Sequence, residues 1–198
     1  MGRKHREERR EKREDFVVKR TQQKRKNTLL AVGILGLIGL IVGYASFTFV
    51  TMGTDVPGAP PGAGKLGDEH EHASMLVRIF GDKFDFSATT YQIKSSWIHF
   101  EESDGNTIHR HSSGVTLDFL FGTLAIAIDE DCYIFTDGRQ FCTNEDYSLK
   151  YFINGDSVNS INDYVIQDDD RILISYGSET EDQIADQLNE LNSQIIRD

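Results

Sequence analysis

The stretch WIHFEESDGNTIHRH, residues 97–111, sets the pattern for the outer part of this chain. Two short runs of β-branched and aromatic residues flank a turn-forming core, Ser103-Asp104-Gly105, which predicts a β-hairpin with a three-residue loop and Gly105 in the left-handed position. That loop length sets Phe100 opposite Ile108 and His99 opposite His109. A two-residue loop would place His109 against Phe100 and mix apolar with polar on both faces, so the three-residue register is preferred.

Two further hairpins follow the same logic on either side. In MLVRIFGDKFDF (75–86) a Gly81-Asp82 turn predicts Ile79 opposite Phe84, Val77 opposite Phe86, and an Arg78–Asp85 cross-strand pair. In CYIFTDGRQFC (132–142) a Thr136-Asp137-Gly138 loop brings Cys132 opposite Cys142. Between hairpins, GVTLDFLFGTLAIAI (114–128) places Leu117, Leu120, Phe121 and Leu124 at helical spacing, with Thr116 as N-cap. SLKYFING (148–155) and DYVIQDDDRILISYG (163–177) read as strands, the clearest being Arg171–Tyr176. Hairpin, crossing helix and closing strands resemble a β-grasp (ubiquitin-like) layout, so the fold class expected is α+β. The tail, 178–198, opens with a Ser178–Glu181 capping box and carries an apolar stripe of Ile184, Leu188, Leu191 and Ile195. Such a stripe packs on its own domain or docks another subunit.

Upstream lies LLAVGILGLIGLIVGYASFTFV, Leu29–Val50, 22 residues without a charge. A helix of that length spans the hydrocarbon core of about 30 Å. It exceeds the roughly 7–15 apolar residues of a cleaved secretory signal, which favours an uncleaved signal anchor. Residues 1–27 hold twelve Lys or Arg against five acids, whereas the remainder holds nine against twenty-seven. The positive-inside rule then puts the N-terminus in the cytoplasm and the C-terminal domain outside the cell membrane. The expected organisation is a basic cytoplasmic tail (1–28), a transmembrane helix (29–50), a Pro/Gly-rich linker (51–72), a β-rich domain (73–177) and a C-terminal helix (178–198). The whole chain carries a net charge of −11. Its acidic body excludes a nucleic-acid-binding surface and suits cations or a basic partner face.

Five of the six histidines fall between positions 70 and 111, as His70-Glu71-His72, His99, and His109-Arg110-His111. On a strand, residues i and i+2 share a face, so each His-x-His pair sets two imidazoles side by side. In the register above, His99, His109 and His111 share the face opposite Phe100 and Ile108, and His70 or His72 arrives from the lead-in. Imidazole suits copper and zinc, and divalent affinity peaks at copper. Glu71, Glu101, Asp68 or Met75 could complete such a site; solvated surface histidines are the plain alternative. Cys132 and Cys142 suit a structural disulfide in an oxidising compartment. They do not form the Cys-x-x-Cys of a dithiol enzyme. Asp168-Asp169-Asp170 lacks calcium-loop spacing and reads as a solvated turn. Nucleotide-, hydrolase- and zinc-protease motifs are absent.

Together, "PPGAGKLGDEHEHAS", "IHFEESDGNTIHRHSSG", "CYIFTDGRQFC" and "DDDRILISYG" behind a single anchor resemble a family of anchored proteins from ammonia-oxidising archaea, often labelled protein-disulfide isomerase. The resemblance covers almost the whole chain. It implies thiol–disulfide exchange through Cys132 and Cys142, and a lineage that relies on copper enzymes. The leading expectation is a membrane-anchored metal-binding module serving as carrier or accessory subunit of a membrane complex. A disulfide oxidoreductase and a non-catalytic interaction domain are the alternatives.

Overall fold

The computed structural model describes residues Gly2–Thr51 and 58–197. The chain divides into two compact units between Gly53 and Thr54. The first is one helix, α1 (Gly2–Thr51), whose Lys19–Thr48 segment is long and apolar enough to cross a membrane.

The second unit is built on a mixed sheet. Its strands are β1 (Glu71–Ile79), β2 (Asp82–Lys83), β3 (Ile98–His99), β4 (Thr107–Arg110), β8 (Ser148–Ile153), β9 (Asp156–Val158) and β10 (Asp170–Gly177), ordered β3-β4-β1-β10-β8-β9 with β2 paired to β1. β1 and β10 run parallel, from Ala73↔Asp170 to Ile79↔Tyr176; the other pairings are antiparallel. Burial on both faces explains why ASMLVRI and RILISYG lack simple polar–apolar alternation. A second sheet, β5 (Ile126–Ile128), β6 (Cys132–Phe135) and β7 (Gln140–Cys142), joins α2 (Leu117–Thr123) over one face. Ala73, Met75, Val77, Phe100, Ile108, Ile172 and Ile174 fill that core with Leu117, Leu120 and Phe121. On the opposite face, α3 (Glu181–Ser193) packs Leu191 and Leu188 onto Leu76 and Leu173.

Two hairpins have the expected register: His99 faces His109, and Cys132 faces Cys142, where a disulfide closes. In the first of them, Glu102 and Ser103 take the positive φ values (55° and 58°) expected of Gly105. Glycine is needed at 105 for a different reason, because a Cβ there would lie 2.6 Å from the Ser87 amide nitrogen. The 75–86 hairpin is shifted. Its loop is Phe80-Gly81, both at positive φ (54° and 81°) as in a type I′ turn, pairing Arg78 with Lys83 and Ile79 with Asp82. The Phe80 ring packs edge-on against Phe141, Tyr147 and Tyr176, which holds an otherwise unfavourable backbone. Arg78 therefore pairs with Glu190 of α3, and Asp85 accepts from Ser87 instead.

Other expectations change in detail. Thr116 caps α2 as expected, accepting from the Phe119 amide, but the helix stops at Thr123 because Ile126–Ile128 pairs with β6. The α3 capping box is Thr180 with Gln183, two residues beyond the expected one, and Ile195 lies past the helix end, exposed. α3 packs on its own sheet. Asp170 is not solvated: it accepts from Asn154, the Tyr164 hydroxyl and the Gln167 amide. Nor is all of 51–72 a free spacer. Ala63 enters the core, the Gly64 amide donates to Ser113 O (2.8 Å) and the Gly67 amide to His111 O (2.6 Å). Residues 52–57 lie outside the described residues.

Candidate metal centre

β1 begins two residues before the expected domain boundary, and this decides where the histidines go. Cα pairing sets His72 opposite His109 on β4, and His109 opposite His99 on β3. One row of three imidazoles therefore crosses three strands. Continuing the same register, His70 lies beside His111, their rings 4.6 Å apart. Side-chain alternation places His72 on the same sheet face as Ser74 and Leu76, the face covered by α3. Just past α3, Ser74 Oγ donates to Gln194 Oε1 (2.6 Å) and the Arg197 amide donates to Thr107 Oγ1 (3.3 Å). The C-terminal segment thus borders the histidines.

All five histidines belong to one array. Ring centroids lie 4.7 Å apart for His70–His72, 4.8 Å for His72–His109, and 5.0 Å for His99–His111. His72, His99 and His109 are at most 8% exposed, whereas His70 is exposed. The potential ligand atoms of His70, His72 and His109 all lie within 4.8 Å of one another, a group that could hold a metal ion.

Fixed hydrogen bonds orient part of the array. His99 Nδ1 lies 2.7 Å from Ser95 O; a carbonyl only accepts, so Nδ1 carries the proton and Nε2 presents its lone pair. One nitrogen held by a carbonyl and the other turned towards a proton or a metal ion is the arrangement typical of metal-binding histidine. His99 Nε2 faces Glu101 Oε2 at 3.3 Å, and a proton or a metal ion between them satisfies both. Among the described residues His109 Nδ1, which is buried, has no hydrogen-bond partner; its ion-pairing neighbour, Glu101 Oε1, is 3.7 Å away. His72 Nδ1 lies 3.8 Å from Asp168, whose carboxylate also accepts from the His72 amide (3.1 Å).

No protein-family model, no curated protein and no solved structure matches this chain.

Of the four additional donors expected from the sequence, only Glu101 reaches the array. Met75 is buried in the core on the opposite sheet face. Glu71, adjacent to His72 along β1, is directed to that opposite face as well. Asp68 accepts from the Lys65 and Ser113 amides and from Ser113 Oγ, fixing the loop before His70. His70 is therefore positioned by a pinned loop, not delivered by a flexible lead-in. Asp168 was legible only as part of a turn, and nothing in the sequence signals the Ser95 carbonyl.

Burial, reinforced by the neighbouring imidazoles His72, His99 and His111, pushes the His109 pKa down to about 4 despite Glu101. Burial also lowers that of His111, with help from His99 and His70. For Glu101, burial works upward, but the His99 hydrogen bond and the surrounding imidazoles outweigh it and leave the carboxyl below its ordinary value. The array is thus neutral at His109 at physiological pH, the form that ligates metal. In the unfolded chain His109 takes up a proton near pH 6.5, whereas in the folded domain it does so only near 4. The metal-free domain is expected to be unaffected above pH 6.5 and to lose up to about 3 kcal/mol as pH falls from 6.5 to 4. Melting EDTA-treated protein across that range, followed through the single tryptophan, Trp97, checks this. His109→Gln should flatten the dependence; an unchanged slope would contradict it.

Proposed function

We propose that this chain is a single-pass membrane protein whose C-terminal domain binds a transition metal, copper foremost, through His70, His72, His99, His109 and His111. It would serve as carrier or accessory subunit of a membrane complex. The observation that carries the reading is the cross-strand row His72–His109–His99, in which imidazoles occupy buried positions that a sheet normally fills with apolar side chains. Burying three imidazoles side by side costs free energy that solubility alone does not explain, and metal coordination offsets it. Copper is favoured because divalent affinity for nitrogen ligands peaks there; zinc is the other candidate. The basic segment before Leu29 supports a cytoplasmic N-terminus and an extracytoplasmic domain. A β-grasp-like layout is supported by the central parallel β1–β10 pair flanked by antiparallel strands. The likeness to anchored archaeal proteins is part of the same proposal.

A second reading, thiol–disulfide exchange, is favoured by the bridge between Cys132 and Cys142, both half-buried on β6 and β7. One experiment separates the two. Metal-stripped full chain in detergent is titrated with Cu(II) and Zn(II) through Trp97 fluorescence, and the same preparation is assayed on a scrambled disulfide substrate. Saturable binding, tighter for Cu(II), with no reshuffling supports the metal reading. Reshuffling without saturable binding supports the exchange reading and removes the first.

A further inference from the structure

We propose that the array holds two metal ions side by side, one at His70, His72 and His109 and the other at His99, His111 and Glu101. This rests on the metal-binding reading above and adds the number of ions and the division of ligands.

Ring orientation divides the set. A ligating lone pair lies in the plane of its imidazole, so rings that share an ion must have planes that cross near it. His70 and His72 are inclined by 49°, and His72 and His109 by 86°, so their lone pairs can converge on one point. By contrast, His99 and His109 are near-parallel (18°) with centroids 6.0 Å apart, and His109 and His111 likewise (13°, 6.5 Å). Near-parallel rings can reach one ion only where they are also coplanar, so these two pairs are the least suited to share one. His99 and His111, tilted by 30° at 5.0 Å, are the pair left for the second position, beside Glu101. His70 and His111, inclined by 56°, lie where the two sets meet.

Glu101 supplies what two cations need. Ligands bound to a tetrahedral ion at about 2.05 Å lie about 3.3 Å from each other. His99 Nε2 and Glu101 Oε2 already have that separation, at 3.3 Å. The other oxygen of the same carboxylate, Oε1, faces His109 Nδ1, which is buried and has no hydrogen-bond partner among the described residues. The carboxylate therefore spans both sets, one oxygen towards each. Asp168 adds a second negative charge beside His72. Two anionic groups flank the two positions, which reduces the repulsion between neighbouring divalent ions.

The test is equilibrium dialysis of the full chain in detergent against Zn(II), followed by metal analysis, for wild type, His70→Ala, Glu101→Gln and the double variant. The altered side chains are exposed or partly exposed, so the fold should persist; Trp97 fluorescence verifies it. Two ions per wild-type chain are expected, one in each single variant, and at least tenfold weaker or no binding in the double variant. Loaded with Cu(II), wild type should give the electron paramagnetic resonance spectrum of a coupled pair, and Glu101→Gln that of an isolated ion. A single ion in wild type, or two in Glu101→Gln, overturns the two-ion proposal while leaving metal binding standing. No bound ion overturns both.

Discussion

Replacing His109 by alanine is expected to weaken Cu(II) and Zn(II) binding at the His70–His72–His109 position by more than about 100-fold, since even the outer partners of metal ligands are worth about 10- to 100-fold. His109 sits at the centre of the row, opposite both His72 and His99, so its loss depletes the array at its midpoint. The domain should nevertheless stay folded. Ile98, Phe100 and Ile108 pack on the other sheet face and are untouched. Moreover, the His109 Nδ1 is buried without a hydrogen bond, a burden of about 1–3 kcal/mol that alanine removes, offsetting the packing lost with the ring. His5→Ala, in the basic tail, should bind as wild type does. Calorimetric titration of the three proteins decides the matter; equal, weak binding in all of them would leave the histidines without a metal role and favour an interaction domain.

The neighbouring residue should behave in the opposite way. Arg110 points into the core side of the sheet, is 1% exposed, and donates to Ile166 O (3.0 Å), to Ser112 O (2.6 Å) and to Glu69. Arg110→Ala strands those carbonyls and leaves Glu69 without its cation. Leaving the two buried carbonyls unsatisfied costs about 1–3 kcal/mol apiece, whereas the partly exposed Glu69 can turn to solvent. Set against a domain stability of about 5–15 kcal/mol, that is enough to lower the melting temperature sharply or to prevent folding. Arg110→Lys should recover only part, because an ammonium lacks the guanidinium fork that reaches several acceptors at once. Thermal unfolding monitored at Trp97 measures it, and a loss below about 1 kcal/mol would refute the role assigned to the buried guanidinium.

Two hairpins were readable from the residues because loop length and the apolar face agreed. Only one register of 97–111 keeps Phe100 with Ile108, and only one register of 132–142 joins the cysteines. The Phe80-Gly81 turn was hidden because Gly81-Asp82 is the more conventional signal, and the aromatic packing that favours Phe80 at positive φ comes from residues 61 to 96 positions away. The end of α2 was hidden for a similar reason: Ile126–Ile128 continues a helical apolar pattern until β6 claims it. For the site, the His-x-His spacing identified the participating side chains. It could not supply the pairing of β1 with β4, which turns His72 from a lead-in residue into the partner of His109. Nor could it show the loop 64–68, whose backbone bonds to 111–113 place His70.

The parallel pairing of β1 with β10 also governs the order of assembly. The His72 amide and the Asp168 carboxylate, joined by a hydrogen bond where the two strands begin, are 96 residues apart along the chain. Closing so long a segment carries an entropic cost that local hairpins do not, and folds dominated by such contacts form slowly. During synthesis, β1 through β4 leave the ribosome long before β10 exists to cover the free edge of β1. The histidine row thus gains its rigid backing only when the last strand arrives, so a chain truncated before Asp170 would carry every proposed ligand and still lack the scaffold that spaces them.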